Sequence, residues 1–158
     1  MAVNETGGGL VLRRLGPDDA EPLAALVALY AGALLGRAPE TPNPAYVKRL
    51  LAEPVVEIAG ADLDGRLVGF ALYYDLPEAI SGRRAGQLDD LFVLPEARGR
   101  GVAQSLIARV VNEGKARGWI HLRWMVPDGS PAGALYDRIA ERAPWRNYVV
   151  RIDQTMKW

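Results

Sequence analysis

The sequence predicts a single α/β domain over residues 1–158, and three observations carry that prediction. Segments of strand and helix character follow one another in the order β-α-α-β-β-β-α-β-α-β, as expected when helices cover a sheet. Between Leu88 and Gly118 an apolar strand passes through a glycine–arginine turn into the most regular helical pattern of the chain. With 158 residues, 49% of them apolar, the chain can bury one core and is short for two.

Met1 to Gly9 is polar and glycine-rich, and residues 1–8 are expected to form a flexible N-terminus. Leu10 to Leu15 reads as the first strand. Gly16-Pro17-Asp18-Asp19 then signals the start of an apolar helix over Leu23 to Leu35, which Gly36 ends. Thr41-Pro42-Asn43-Pro44 breaks the chain before a short helix from Ala45 to Glu53. Val55 to Ala59 and Arg66 to Tyr74 form a hairpin across residues 60–65. Asp75 to Gly86, with Pro77 and a Ser81-Gly82 pair, reads as a loop. Beyond the central strand and helix, Trp119 to Val126 is a strand, Pro131 to Ile139 a helix, and Tyr148 to Ile152 a last strand.

The turn in the middle of the chain carries the chemistry. Leu91-Phe92-Val93-Leu94 is a continuous run of β-formers stopped by Pro95, which suits a strand covered on both faces. From Val102 the apolar residues recur at helical spacing through Leu106 and Val110, with Ala103, Ile107 and Val111 beside them. Lys115 and Arg117 lie at the negative end of the helix dipole, and Gly118 is a C-terminal stop. The first N–H groups of this helix have no intrahelical partner. Glycine at positions 99 and 101 lets an anion come close to the backbone, so a phosphate-bearing ligand is expected. Two common phosphate loops do not match. The dinucleotide fingerprint requires a third glycine where Gln104 stands, and the nucleotide-hydrolase loop requires Gly-Lys-Ser/Thr.

Composition narrows the function further. There is no cysteine and one histidine, so disulfides, thiolate zinc sites, a cysteine nucleophile and a multi-histidine metal centre are excluded, and no metal is expected. No apolar run approaches the length of a bilayer span, and the N-terminus lacks a secretory pattern. A cytoplasmic protein without a membrane partner is expected. Net charge is zero, yet residues 1–96 hold 14 acidic against 8 basic side chains and residues 97–158 hold 5 against 11. Such a division suits a basic side for an anionic cofactor and an acidic side for a cationic substrate; it is equally compatible with scatter over a solvated surface. No basic stripe with interleaved aromatics marks a nucleic-acid partner.

What remains of the loop, Arg98-x-x-Gly101-x-Ala103, resembles the acetyl-CoA motif of the GNAT superfamily of N-acetyltransferases, and the order of elements resembles that fold over nearly the whole chain. The resemblance implies a central mixed, mostly antiparallel sheet with helices on both faces. Within the superfamily, Val68 to Tyr74 and Leu88 to Gly101 look most like the diamine and polyamine acetyltransferase branch. The resemblance also implies that the strand ending at Leu94 splays from its neighbour and that the pantetheine arm lies in the gap. Phe92 and Val93 would then bind it through main-chain atoms, and Arg98, Gly99, Arg100, Gly101, Val102 and Ala103 would hold the pyrophosphate. A homodimer through the C-terminal strands, with Tyr148, Val149, Val150 and Trp158 as interface candidates, is a further implication.

Acetyl transfer to an amine has three requirements. An alkylamine with a pKa near that of lysine, about 10.4, is protonated at neutral pH, so a carboxylate or water chain must accept its proton. Asp89 and Asp90 are the candidates. As strand neighbours they point to opposite faces unless a bulge intervenes, and the resemblance assigns the base-like role to Asp89. A backbone N–H of Phe92 or Val93 would polarise the thioester carbonyl. Tyr136, where the family keeps a tyrosine, would protonate the departing thiolate and touch the cofactor. The family usually carries asparagine where Gly129 stands. Ser130 with Pro131 reads as the helix start and His121 as structural or exposed rather than catalytic. The expected activity is transfer of acetyl from acetyl-CoA to a primary amine of a small cationic acceptor by direct attack in a ternary complex, since no cysteine is available as an acyl carrier. Protein or peptide N-acetylation and a non-catalytic acyl-CoA sensor are the alternatives.

Overall fold

The computed structural model describes residues 9–152. They fall into two compact units, one ending at Met125 and the other beginning at Val126. In the first unit five strands lie side by side in chain order: β1 (Leu10–Arg14), β2 (Glu57–Leu63), β3 (Arg66–Pro77), β4 (Arg84–Val93) and β5 (Trp119–Trp124). The first four pair antiparallel and β5 joins β4 in parallel, so the sheet is mixed and open. The hairpin between β2 and β3 is tighter than expected. Asp64 and Gly65, at φ 52 and 81, turn the chain with the two positive φ values of a type I′ turn, and residues 60–63 belong to β2. Residues 75–77 and 84–86 likewise pair with each other rather than forming a loop; Pro77 is tolerated because it ends its strand.

Three helices cover the two faces of this sheet. In α1 (Ala20–Leu35), Tyr30 sets its ring 6.0 Å from that of Phe70 and 5.5 Å from that of Phe92. On the other side, a Cβ at Gly69 would meet Leu106 of α3 (Val102–Arg117) and Val93. Neighbouring strand residues face opposite ways, so α1 and α3 lie on opposite faces. The short α2 (Pro44–Ala52) packs on α1. It starts where the Asn43 side chain accepts the Tyr46 N–H at 3.0 Å, with Pro44 at its first position. Leu23, Phe70, Leu106, Val110 and Val47 are the largest fully enclosed side chains, each worth about 1.5–3 kcal/mol of burial.

Where β5 begins, the Trp119 indole lies against Gly86 of β4 and Gly114 of α3, and a Cβ at either glycine would collide with the ring. Beside it, Arg117 closes α3 onto the sheet. Its guanidinium meets Glu57 of β2 (Nη2 to Oε1, 2.9 Å), Glu113 and Asp75. Glu57 is only 8% exposed, and the Arg117 hydrogen bonds hold its carboxyl below the usual carboxylate range.

The second unit opens with a turn in which the Ser130 N–H donates to the Pro127 carbonyl at 3.1 Å. Helix α4 (Gly133–Ile139) starts two residues later than the sequence predicts. Ser130 uses its hydroxyl to accept the Ala132 N–H, so Pro131 and Ala132 belong to the lead-in. The strand expected over Tyr148–Ile152 is not formed. Residues 140–152 contain neither helix nor strand, and Tyr148, Val149, Val150 and Ile152 stand exposed. β-Propensity reflects the fit of a side chain to a paired, half-covered surface, and these residues have no such ladder. Trp158 lies outside the described residues. Among the described residues, no helix is long and apolar enough to cross a membrane, and no group of acidic, histidine or cysteine side chains is arranged to hold a metal.

Replacing Glu57 by Gln should cost about 1–3 kcal/mol, because the part-buried Arg117 loses its best partner but keeps Glu113 and Asp75. Glu57 has a depressed folded pKa, so its contribution is fully present above its unfolded value of about 4.3 and is lost as the pH falls through the folded value. Urea unfolding at neutral pH and again below pH ~4 should show the gap between wild type and variant closing in acid.

Candidate active site

β4 has neighbours on both sides only in its first half. Its parallel pairing with β5 runs from Arg84 opposite Trp119 to Leu88 opposite Trp124 and then stops. Its pairing with β3 continues to Val93. Residues 89–93 therefore keep an edge that no strand among the described residues covers. The register decides which groups face it. Leu94 donates its N–H to the Val68 carbonyl at 2.8 Å. The alternation of an antiparallel ladder then turns the N–H and C=O of Phe92 and Asp90 toward β3, and those of Leu91 and Val93 toward the open edge. On that edge the Val93 carbonyl accepts Nε of Arg98 at 3.0 Å. Of the two expected amide donors, Val93 thus faces the opening with Leu91 beside it, while the Phe92 amide is used inside the sheet.

A β-bulge lies where the pairing with β5 ends. Leu72 is opposite Asp90 and Tyr73 opposite Leu88, which makes Asp89 the extra residue. The bulge resets the alternation. Leu88 shares its face with Tyr73, whose ring meets Trp119 at 6.2 Å, on the α3 side. Gln87, on the opposite face, donates through Nε2 to Asp89 at 3.2 Å. Asp90 accepts a hydrogen bond from the Tyr30 hydroxyl of α1. Both carboxylates consequently stand on the α1 face, where regular strand alternation would have separated them. Asp89 is exposed and Asp90 half-buried. Burial first, and the charge of Asp89 second, push the Asp90 carboxyl above the usual range, while the Tyr30 bond pulls it back. Tyr74 of β3 completes the group: burial and both carboxylates push its phenol up, with a smaller influence from Tyr46 of α2.

After Val93 the chain makes a 3₁₀ turn over Pro95–Ala97 and reaches the glycine loop. Gly99 and Gly101 have φ values of 73 and 77, a left-handed conformation that costs a residue with a Cβ roughly 1–2 kcal/mol. A Cβ at either would project into open space, which leaves the backbone accessible. Val102 is buried and anchors the first turn of α3, Ala103 is half-buried, and Arg98 and Arg100 are exposed on the loop. No acidic residue occupies that first turn. Orphan N–H groups and the positive dipole end therefore meet on one short segment that also carries Arg98 and Arg100, a suitable cradle for a pyrophosphate, although the Arg98 guanidinium is turned back over the Phe92 ring.

In the second unit Tyr136 sits half-buried on α4, and burial pushes its phenol up. It is therefore protonated throughout the neutral range. Gly129 occupies its turn at φ 75, and His121 is exposed on β5. The sequence-based reading missed Tyr30 altogether, since at helical spacing it is one apolar-face residue among many.

The sequence profile of the acetyltransferase (GNAT) family matches residues 23–140, which span strands β2 to β5, the glycine loop and α4. The chain belongs to the GNAT acetyltransferase family. Acetyl-CoA-dependent N-acetyl transfer is the activity of that family, and the open β4 edge and glycine loop of this GNAT chain fit such a donor. The ribosomal-protein-alanine N-acetyltransferase of Brucella melitensis biovar Abortus 2308 is similar at 38% identity, covering 91% of this chain and 99% of its own, with a TM-score of 0.81. An aminoglycoside acetyltransferase from an uncultured soil metagenomic sample is similar at 25% identity, covering 92% and 99%, with a TM-score of 0.75. No curated protein matches significantly.

The register makes a direct prediction for amide hydrogen exchange followed by NMR. The Leu91 and Val93 amides of the free protein should exchange much faster than that of Phe92, because only the latter is bonded within a ladder. Equal protection of all three would mean that a further strand covers the edge.

Proposed function

We propose that this GNAT enzyme acetylates a primary amine on a small cationic acceptor by direct attack in a ternary complex. The observation that carries the reading is the pair of carboxylates, Asp89 and Asp90, turned by one bulge onto the same face as Tyr30 and Tyr74. Negative charge beside aromatic rings suits an ammonium group, which gains from both. Acetyl-CoA, when bound, supplies an acetyl thioester whose C–S bond breaks as the C–N bond to the amine forms, releasing the thiol and one proton.

Each residue has a part in this scheme. Arg98, Gly99, Arg100, Gly101, Val102 and Ala103 hold the pyrophosphate through backbone N–H groups and positive charge. Val93, with Leu91, offers main-chain groups along the open edge, and the Val93 N–H is the candidate donor to a developing oxyanion. Phe92 supports them by its packing rather than through its amide. A carboxylate of the bulge, Asp89 by resemblance or its neighbour Asp90, accepts the ammonium proton. Tyr136 is the candidate acid for the thiolate. From ordinary values, a phenol near 10 giving its proton to a thiolate near 8.5 is uphill by about 2 kcal/mol, so the transfer depends on its being drawn forward by product release.

A second reading has its own support. The similarity at 38% identity to a ribosomal-protein-alanine N-acetyltransferase favours the α-amine of a protein N-terminus as acceptor. The resemblance of Leu88 to Gly101 to the polyamine branch favours the small acceptor. Thiol release from acetyl-CoA, measured with spermidine, kanamycin and a hexapeptide beginning with alanine, separates them: turnover of spermidine alone supports the first reading, and turnover of the peptide alone replaces it with the second. With the best of these acceptors, Tyr136→Phe should lower kcat by about 10²- to 10⁴-fold, with KM for acetyl-CoA changed much less. An unchanged kcat would remove Tyr136 from the chemistry.

A further inference from the structure

We infer that Asp90, held by the Tyr30 hydroxyl, is the carboxylate that takes the proton from the acceptor amine, and that Tyr30 is a positioning residue for catalysis. The inference rests on the proposed acetyl transfer and moves the proton-accepting role from Asp89, which the family resemblance selects, to its neighbour.

The two carboxylates share a face but not an environment. Asp89 is the bulged residue itself, exposed, with Gln87 as its hydrogen-bond donor, and Gln87 is in turn tied to Arg123 of β5 at 3.3 Å. Such a site keeps a carboxylate solvated and hydrogen-bonded. Asp90 follows the bulge, half-buried, and belongs to the ladder with Leu72. Its side chain is fixed by α1 through the Tyr30 hydroxyl. Tyr30 is fixed in its turn, because its ring is lodged against Phe70 of β3 and Phe92 of β4. Phe92 directly precedes Val93, the residue whose main chain faces the open edge. One tyrosine therefore sets both the orientation of a carboxylate and the packing next to the candidate amide donor.

The electrostatics favour the same residue. A useful base for an ammonium ion has a pKa drawn toward neutrality. Among the described residues, the groups that act on Asp90 are Asp89 on its own strand and the Tyr30 hydroxyl from α1; Tyr74 of β3 feels both carboxylates and, from α2, Tyr46, whose ring lies under Arg49. The charge of Asp89 raises the proton affinity of Asp90. In the step itself the ammonium nitrogen loses one N–H proton to an Asp90 carboxylate oxygen, directly or through one water. The nitrogen keeps the bonding electron pair, and Asp90 becomes a neutral acid that returns the proton to solvent.

Three variants and two measurements test this. The rate of acetylation of spermidine, or of the alanine-led hexapeptide if spermidine is inert, is followed against pH, and the Asp90 carboxyl is titrated by carbon-13 NMR without acetyl-CoA. Asp90→Asn should lower kcat by about 10²-fold or more and abolish the acid limb of the profile. Asp89→Asn should keep that limb and move it to lower pH, because a like charge is removed. Tyr30→Phe deletes a bond that favours the charged form, so both the limb and the NMR titration of Asp90 should move to higher pH. A loss of packing alone would move neither. A limb that vanishes in Asp89→Asn and persists in Asp90→Asn overturns the inference, as does a Tyr30→Phe profile that matches the wild type, while acetylation by the wild type keeps the functional reading intact. A wild type that binds acetyl-CoA and acetylates none of the probes overturns that reading itself, and the proton-accepting role falls with it.

Discussion

β4 loses one of its two neighbours at Leu88, and most of what distinguishes this molecule follows from that loss. A buried strand ordinarily spends its main-chain groups on both sides. Here residues 89–93 have β3 as their one neighbouring strand among the described residues, and the bulged Asp89 is left out of that ladder. The groups left over are few and their directions are fixed, because the ladder with β3 dictates them. The same strand runs on through Pro95 into the glycine loop and α3. A strip of backbone that no second strand covers and a helix N-terminus are thus consecutive parts of one segment. A long ligand with an amide-rich arm and a pyrophosphate needs those two features in that order.

The bulge adds a second consequence at the same place. One additional residue in β4 brings two carboxylates onto a single face. It also sets that face against α1, so a helix on the opposite side of the sheet from α3 supplies Tyr30 to the strand that leads into the glycine loop. At the bulge the α1 side gathers carboxylates and phenols, whereas the glycine loop and the start of α3 carry free N–H groups and basic side chains; the far end of α3 meets the sheet through Arg117 and three carboxylates.

Much of this was legible in the sequence, and the parts that were not share a cause. The strand into Val93, the loop through Gly101 and the helix from Val102 were readable because local patterns specify them: β-formers, a proline stop, glycines, then helical spacing. The positive φ values of Gly99 and Gly101 follow from the same local chemistry. The bulge at Asp89 was not readable, since two adjacent aspartates look the same whether or not the ladder slips. Nor was the direction of the Phe92 amide, which depends on register with β3. Tyr30 acquires its role only when α1 is laid across Phe70 and Phe92. The segment from Tyr148 to Ile152 shows the converse. Its composition is that of a strand, but propensity alone does not provide a partner.

Trp119 also bears on the opening in β4, although it lies at the far end of the β4–β5 contact. Its indole fills the space that glycine leaves in both Gly86 and Gly114, and it stands opposite Arg84 at the first paired position. It therefore acts as the fulcrum from which β5 sets out, with α3 as the fixed support. The placing of β5 against β4 and α3 is set there, by the bulk of one ring between two bare backbones. A change in the size of that side chain would shift β5 without touching a residue of the bulge or the glycine loop.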